Sequence, residues 1–162
     1  MCYAQDVESC IDVATDEITL TYEEIEQGVE IYGYFDELGN VYLVKSNDSS
    51  AIVPYSTDGV ISVNLKKSGN NRYYLVWTLT ATSNITYLSG TAYARDSSSL
   101  HPTPYFEVSL YAPYSAGFVA SGSTETKYIA SNTSIRVGWE SVLVRTVKNS
   151  FSIPNANSIV YT

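Results

Sequence analysis

The chain has one His, one Met and two Cys among its 162 residues, and each scarcity removes a class of function. With His101 alone, the commonest general base and the commonest metal ligand are nearly missing. The two cysteines, Cys2 and Cys10, have Cys-x7-Cys spacing with no second pair beside them, which fits none of the usual zinc motifs. No stretch approaches the ~18 consecutive apolar residues of a membrane-spanning helix. The opening MCYAQDVESC has neither a basic n-region nor an apolar h-region. The composition leads us to expect a chain whose export signal has been removed. Bases are scarce at the start: residues 1–48 hold twelve acids against Lys45, a net of −11, while residues 49–162 carry a net of +3. An overall charge of −8 repels a phosphate backbone, so a nucleic-acid partner is not expected.

Tyrosine and alternation are abundant. Fifteen residues are Tyr, and long runs of Tyr, Thr and Val alternate apolar with polar, the period of strands with one buried and one wet face. Aromatic content of 13% rules out a chain disordered throughout, because each ring buries ~150–250 Å². At this length a single domain buries roughly 68–70% of its unfolded surface.

Residues 1–16 show no clear period, and residues 1–20 are read as an acidic, partly flexible lead. Residues 21–162 are read as one domain. Thr21 with Glu24 has the form of a capping box stopped by Gly28, so this short segment is either one helical turn or a charged edge strand. A hairpin is expected from Val29–Phe35 and Val41–Lys45 around the loop Asp36-Glu37-Leu38-Gly39-Asn40. Further strands are expected at Ala51–Tyr55, Val60–Lys66, Arg72–Ser83, Ile85–Arg95, Tyr105–Ala112 and Ser134–Val147, with a broken pair in Val119–Ala130. The end, from Phe151, is read as a returning edge strand. Tyr73, Leu75, Trp77, Leu79 and Ala81 form one phase of the third of these and should be core. In Ser134–Val147 the apolar phase runs Ile135, Val137, Trp139 and then jumps to Val142 and Val144, which an inserted bulge residue near Glu140-Ser141 would produce. About ten short strands with no crossover helix predict a single all-β antiparallel sandwich, Ig-like or jelly-roll-like.

Catalytic chemistry finds little support. His101 lies within six residues of Asp96 and Ser97, but a Ser-His-Asp triad needs side chains that converge from separate elements. No Gly-x-Ser-x-Gly elbow occurs. Glu107 and Glu140 are the one carboxylate pair worth testing, since sandwich glycosidases place two acids roughly 5–9.5 Å apart. Both fall in the polar phase of their strands, where ordinary outward glutamates also lie. Asp36-Glu37 with Asn40, and Asn47-Asp48-Ser49, are the best oxygen clusters for a cation, yet turn chemistry accounts for them equally. No metal and no cofactor is expected.

Binding fits better. Tyr32, Tyr34, Tyr74, Tyr93, Tyr111, Tyr114 and Tyr128 are more rings than a small core needs, and flat rings stack on sugar faces. Tyr74 and Tyr111 fall on the outward phase and are the candidate ligand contacts. Cys2 and Cys10 are either free thiols or a disulfide, whose short loop would contribute less than the ~3 kcal/mol of a 15-residue loop. Lipid modification of Cys2 is a third reading. Asn47, Asn84 and Asn132 each head an Asn-x-Ser/Thr acceptor pattern, which such a composition produces often by chance.

Tyr22-Glu23-Glu24-Ile25-Glu26-Gln27-Gly28, followed by Asp36-Glu37-Leu38-Gly39-Asn40-Val41, resembles the mature N-terminal part of small secreted proteins of Gram-positive gut bacteria. The resemblance implies export and brings no activity with it. The expectation is an exported or cell-surface, non-catalytic domain that binds a polysaccharide or surface polymer through exposed tyrosines. The alternatives are a structural or protein-interaction domain of the cell envelope, with a cell-surface protein as partner, and a glycoside hydrolase built on Glu107 and Glu140.

Overall fold

A computed structural model describes residues 10–11, 17–21, 31–36, 38, 40–45, 57–97, 100, 103–113 and 117–162. Among these residues every regular element is a strand, in the order β1 (Cys10–Ile11), β2 (Glu17–Thr21), β3 (Ile31–Phe35), β4 (Val41–Lys45), β5 (Gly59–Gly69), β6 (Arg72–Ala81) and β7 (Ile85–Asp96), then β8 (Pro104–Ser109), β9 (Val119–Ser123), β10 (Lys127–Tyr128), β11 (Ser134–Thr146), β12 (Ser150–Ile153) and β13 (Asn155–Tyr161). The expected strand at Ala51–Tyr55 and the segment Tyr22–Gly28 lie outside the described residues. The acidic lead contributes two strands, β1 and β2.

The strands form two sheets. The first runs β1-β4-β3-β5-β6-β10, with β9 also on β6, and the second runs β2-β13-β11-β7-β8, with β12 also on β11. Two strands are interrupted rather than doubled. β9 covers Val76–Thr80 of β6 and β10 covers Arg72–Tyr73, while β12 and β13 share β11 end to end around Pro154, which cannot donate to a ladder. All pairings are antiparallel except β2 with β13, which is parallel. The whole domain separates these two partners in sequence, so the long connection that parallel pairing demands is already present.

Alternation places the core. On β6, Tyr73, Leu75, Trp77, Leu79 and Ala81 are all buried and the residues between them are not, the phase expected for a strand with one wet face. The sheets face one another across a single apolar cluster drawn from both. Phe35 of the first sheet meets Phe151 of the second at 5.4 Å between ring centroids. Gly33 lies so close to the Trp139 ring that a Cβ there would stand 2.8 Å from it. The bulge falls where the apolar phase changes: the β11–β7 register shifts between Glu140 and Leu143, and Ser141 has φ +54°. The extra residue turns Val142 and Val144 back into the core, where both are buried.

Candidate functional site

The two faces that point away from the core carry the polar chemistry. On the second sheet, β7 runs between β8 and β11, so Tyr93 lies directly opposite both Glu107 and Gly138, with Arg95 two positions further along β7. Arg95 reaches both glutamates. Its guanidinium donates to the two carboxylate oxygens of Glu140 at 3.1 and 2.7 Å, and its Nη2 stands 3.5 Å from Glu107 Oε2. The guanidinium also lies 4.0 Å from the centre of the Tyr93 ring, which is buried beneath it. The hydrogen bonds to Glu140 are the main cause that raises the Arg95 pKa above its ordinary value. Partial burial works against them, and the charges of Glu140 and Glu107 add to them.

Glu107 and Glu140 are therefore brought together, each within reach of one arginine nitrogen. The pair is closed on itself by a cation. Glycoside hydrolysis requires one acid held neutral and the other free to attack or to activate water, whereas here one guanidinium occupies both carboxylates.

The first sheet presents a different surface. Tyr74 lies opposite Lys66 of β5, and Arg72, two positions before it on the same strand, lies opposite Tyr128 of β10. Alternation puts Lys66, Arg72, Tyr74 and Tyr128 on one face, away from the core that holds Tyr73 and Leu75. Tyr128 is 61% exposed, Arg72 is exposed and Tyr74 is half-buried. Other cations are engaged by this chain: Lys66 has a partner of its own, Lys67 lies over Tyr73, Arg145 over Tyr87, and Lys127 over Phe106 while donating to the Tyr105 carbonyl at 2.7 Å. Among the described residues no acid or ring meets the Arg72 guanidinium.

Tyr111 lies elsewhere. It follows β8 on the second sheet, is 56% exposed, and meets the buried Trp77 edge-on at 5.9 Å. Trp77 belongs to the core side of β6, opposite the face that carries Tyr74. Of the two tyrosines singled out from sequence, Tyr74 stands on β6 and Tyr111 in the segment after β8, beyond any strand, and the structure does not join them into one platform. Tyr128 and Arg72 stand beside Tyr74 instead. That grouping depends on a pairing between β6 and β10, more than fifty positions apart, for which the sequence carries no local signal.

Asp36 spends its carboxylate on its own loop, accepting from the Leu38 and Asn40 amides and from the Asn40 side chain at 2.9 to 3.0 Å. That is turn chemistry. Glu37, Asn47-Asp48-Ser49, His101, Tyr114 and Cys2 lie outside the described residues, and with Cys2 the question of a bridge to Cys10. Among the described residues no three His, Cys, Asp or Glu side chains gather as a metal site, and no helix is long and apolar enough to cross a membrane. Comparison with protein-family models, with curated proteins and with solved structures found no match.

Proposed function

We propose that the chain is a non-catalytic binding domain of Ig-like architecture, exported to the cell surface or beyond, that binds a polysaccharide on the outer face of the first sheet through Tyr74 and Tyr128. The observation that carries this reading is the contrast between the two outer faces. On the second sheet, arginine and tyrosine are committed to partners of this chain. On the first, Tyr74, Tyr128 and Arg72 stand together with no side-chain partner among the described residues.

The strand order supports the Ig-like type. Strands β5-β6-β9 on one sheet and β8-β7-β11-β13 on the other follow the A-B-E and C′-C-F-G order of immunoglobulin-like sandwiches. The Arg95 clamp across Glu107 and Glu140 supports the absence of catalysis. Affinity electrophoresis through gels containing neutral and acidic polysaccharides tests the proposal. At least one polymer should retard the protein, and Tyr74→Ala or Tyr128→Ala should weaken retardation about tenfold, the upper end of what an aromatic contact contributes. Glu107→Gln and Glu140→Gln should leave it unchanged. Sugar release that depends on either glutamate would favour the hydrolase instead.

A second reading, an envelope protein-interaction domain, draws support from Phe118 and Val119, two consecutive exposed apolar side chains at the start of β9. Retention of the protein on no polysaccharide would leave it in place.

A further inference from the structure

The face around Tyr74 is basic as well as aromatic. This is unexpected in a chain of net charge −8, whose nine Lys and Arg residues include four within β5, β6 and β10: Lys66, Lys67, Arg72 and Lys127. Register sorts these four. Lys67 and Lys127 lie opposite Tyr73 on the core side, whereas Lys66 and Arg72 share the outer side with Tyr74 and Tyr128. Strand geometry spaces the group. Arg72 and Tyr74 are roughly 7 Å apart along β6, and each has its cross-strand neighbour at ~4.5–5.5 Å between Cβ atoms. The result is a staggered row of ring, cation and ring, made by Tyr74, Arg72 and Tyr128, with Lys66, which has a partner of its own, at its edge.

We infer that this row selects an anionic polysaccharide, one that carries carboxylates at intervals along a chain of sugar rings. The inference rests on the glycan reading above and adds the charge of the ligand to it. A ring lying on Tyr74 or Tyr128 places its carboxylate beside Arg72, whose planar fork matches a carboxylate with two parallel hydrogen bonds. The exposed guanidinium surrenders no internal ion pair to do so. A single-stranded nucleic acid also combines stacking with charge. Its charge density is higher, however, and a protein of net −8 repels it more strongly than a polymer with one carboxylate per sugar.

The test measures binding of the full chain to polygalacturonate, alginate and hyaluronan. Each is also offered as its methyl ester, which keeps the rings and removes the charge, and oligothymidylate is included as the nucleic-acid arm. The inference expects at least one acidic polymer to bind about tenfold more tightly than its ester, with the preference shrinking as salt rises. Arg72→Gln should abolish that preference, bringing acid and ester to equal affinity. Arg72→Lys should fall between, having charge without the fork. Unchanged circular dichroism shows the variants to be folded, and Arg72 is exposed enough to be replaced without disturbing the core. Equal binding of acid and ester, or indifference to Arg72→Gln, overturns the charge selectivity while the glycan reading survives. Tighter binding of oligothymidylate than of any glycan overturns both, as does failure of every polysaccharide to bind.

Discussion

Trp77 and Trp139 are each at most 2% exposed, yet their indole nitrogens have different surroundings. Trp139 Nε1 donates to the Pro154 carbonyl at 3.0 Å, tying β11 to the joint between β12 and β13. Trp77 Nε1 is buried with no acceptor among the described residues, beside Gly122, where a Cβ would lie 2.6 Å from that nitrogen. Both residues should emit blue-shifted fluorescence that iodide hardly quenches. Replacing either with Ala should cost ~3–5 kcal/mol, as for other buried large aromatics. Replacement with Phe separates them. Trp139→Phe orphans a carbonyl and should lose ~1–3 kcal/mol more than Trp77→Phe, which removes a donor that has no partner. Urea unfolding of the two variants measures the difference, and equal losses would contradict this account of the indole environments. The Arg95 clamp is partly exposed, so Glu140→Gln should shift stability by only about 0.2–1 kcal/mol and Glu107→Gln by less. A raised pKa on a cation means that its contribution is complete below the unfolded value and lost only as pH climbs through the folded one. The arginine's share should therefore stay flat across the ordinary laboratory range.

At the scale of elements, the β11 bulge is the clearest device. Ser141 takes φ +54°, its amide donates to the Asn155 side chain at 2.7 Å, and Gly90 on β7 faces the kink with φ +135°. A Cβ on Gly90 would stand 2.9 Å from the Val142 backbone. Gly90→Ala should cost at least ~1–3 kcal/mol, the ordinary range for a residue forced into such a backbone region. Ser141→Gly should be neutral or mildly stabilising, and chemical denaturation distinguishes the two outcomes. The bulge was legible in the sequence because the apolar phase of a strand is a local property: Trp139 and Val142 cannot face the same core without an extra residue between them. The long strands and their buried phases were legible for the same reason. The attachment of β10 to β6, of β2 to β13 and of Arg95 to two glutamates was not, since each joins residues far apart in the chain.

For the molecule as a whole, two sheets share one core, and the outer faces of these sheets differ in what they leave available. The far-ultraviolet circular dichroism should show β-structure with very little helix, and a helical content above roughly a quarter of residues would be incompatible with this fold. The proposed ligand face is the outer side of the first sheet. Nuclear magnetic resonance of the nitrogen-15-labelled chain, titrated with an oligosaccharide of whichever polymer retards it, tests that most directly. The amides of Lys66, Arg72, Tyr74 and Tyr128 should shift together and saturate with one dissociation constant, while those of Arg95, Glu107 and Glu140 stay still. Shifts centred on Arg95 and its two glutamates, or on Tyr111 beside Trp77, would contradict the account.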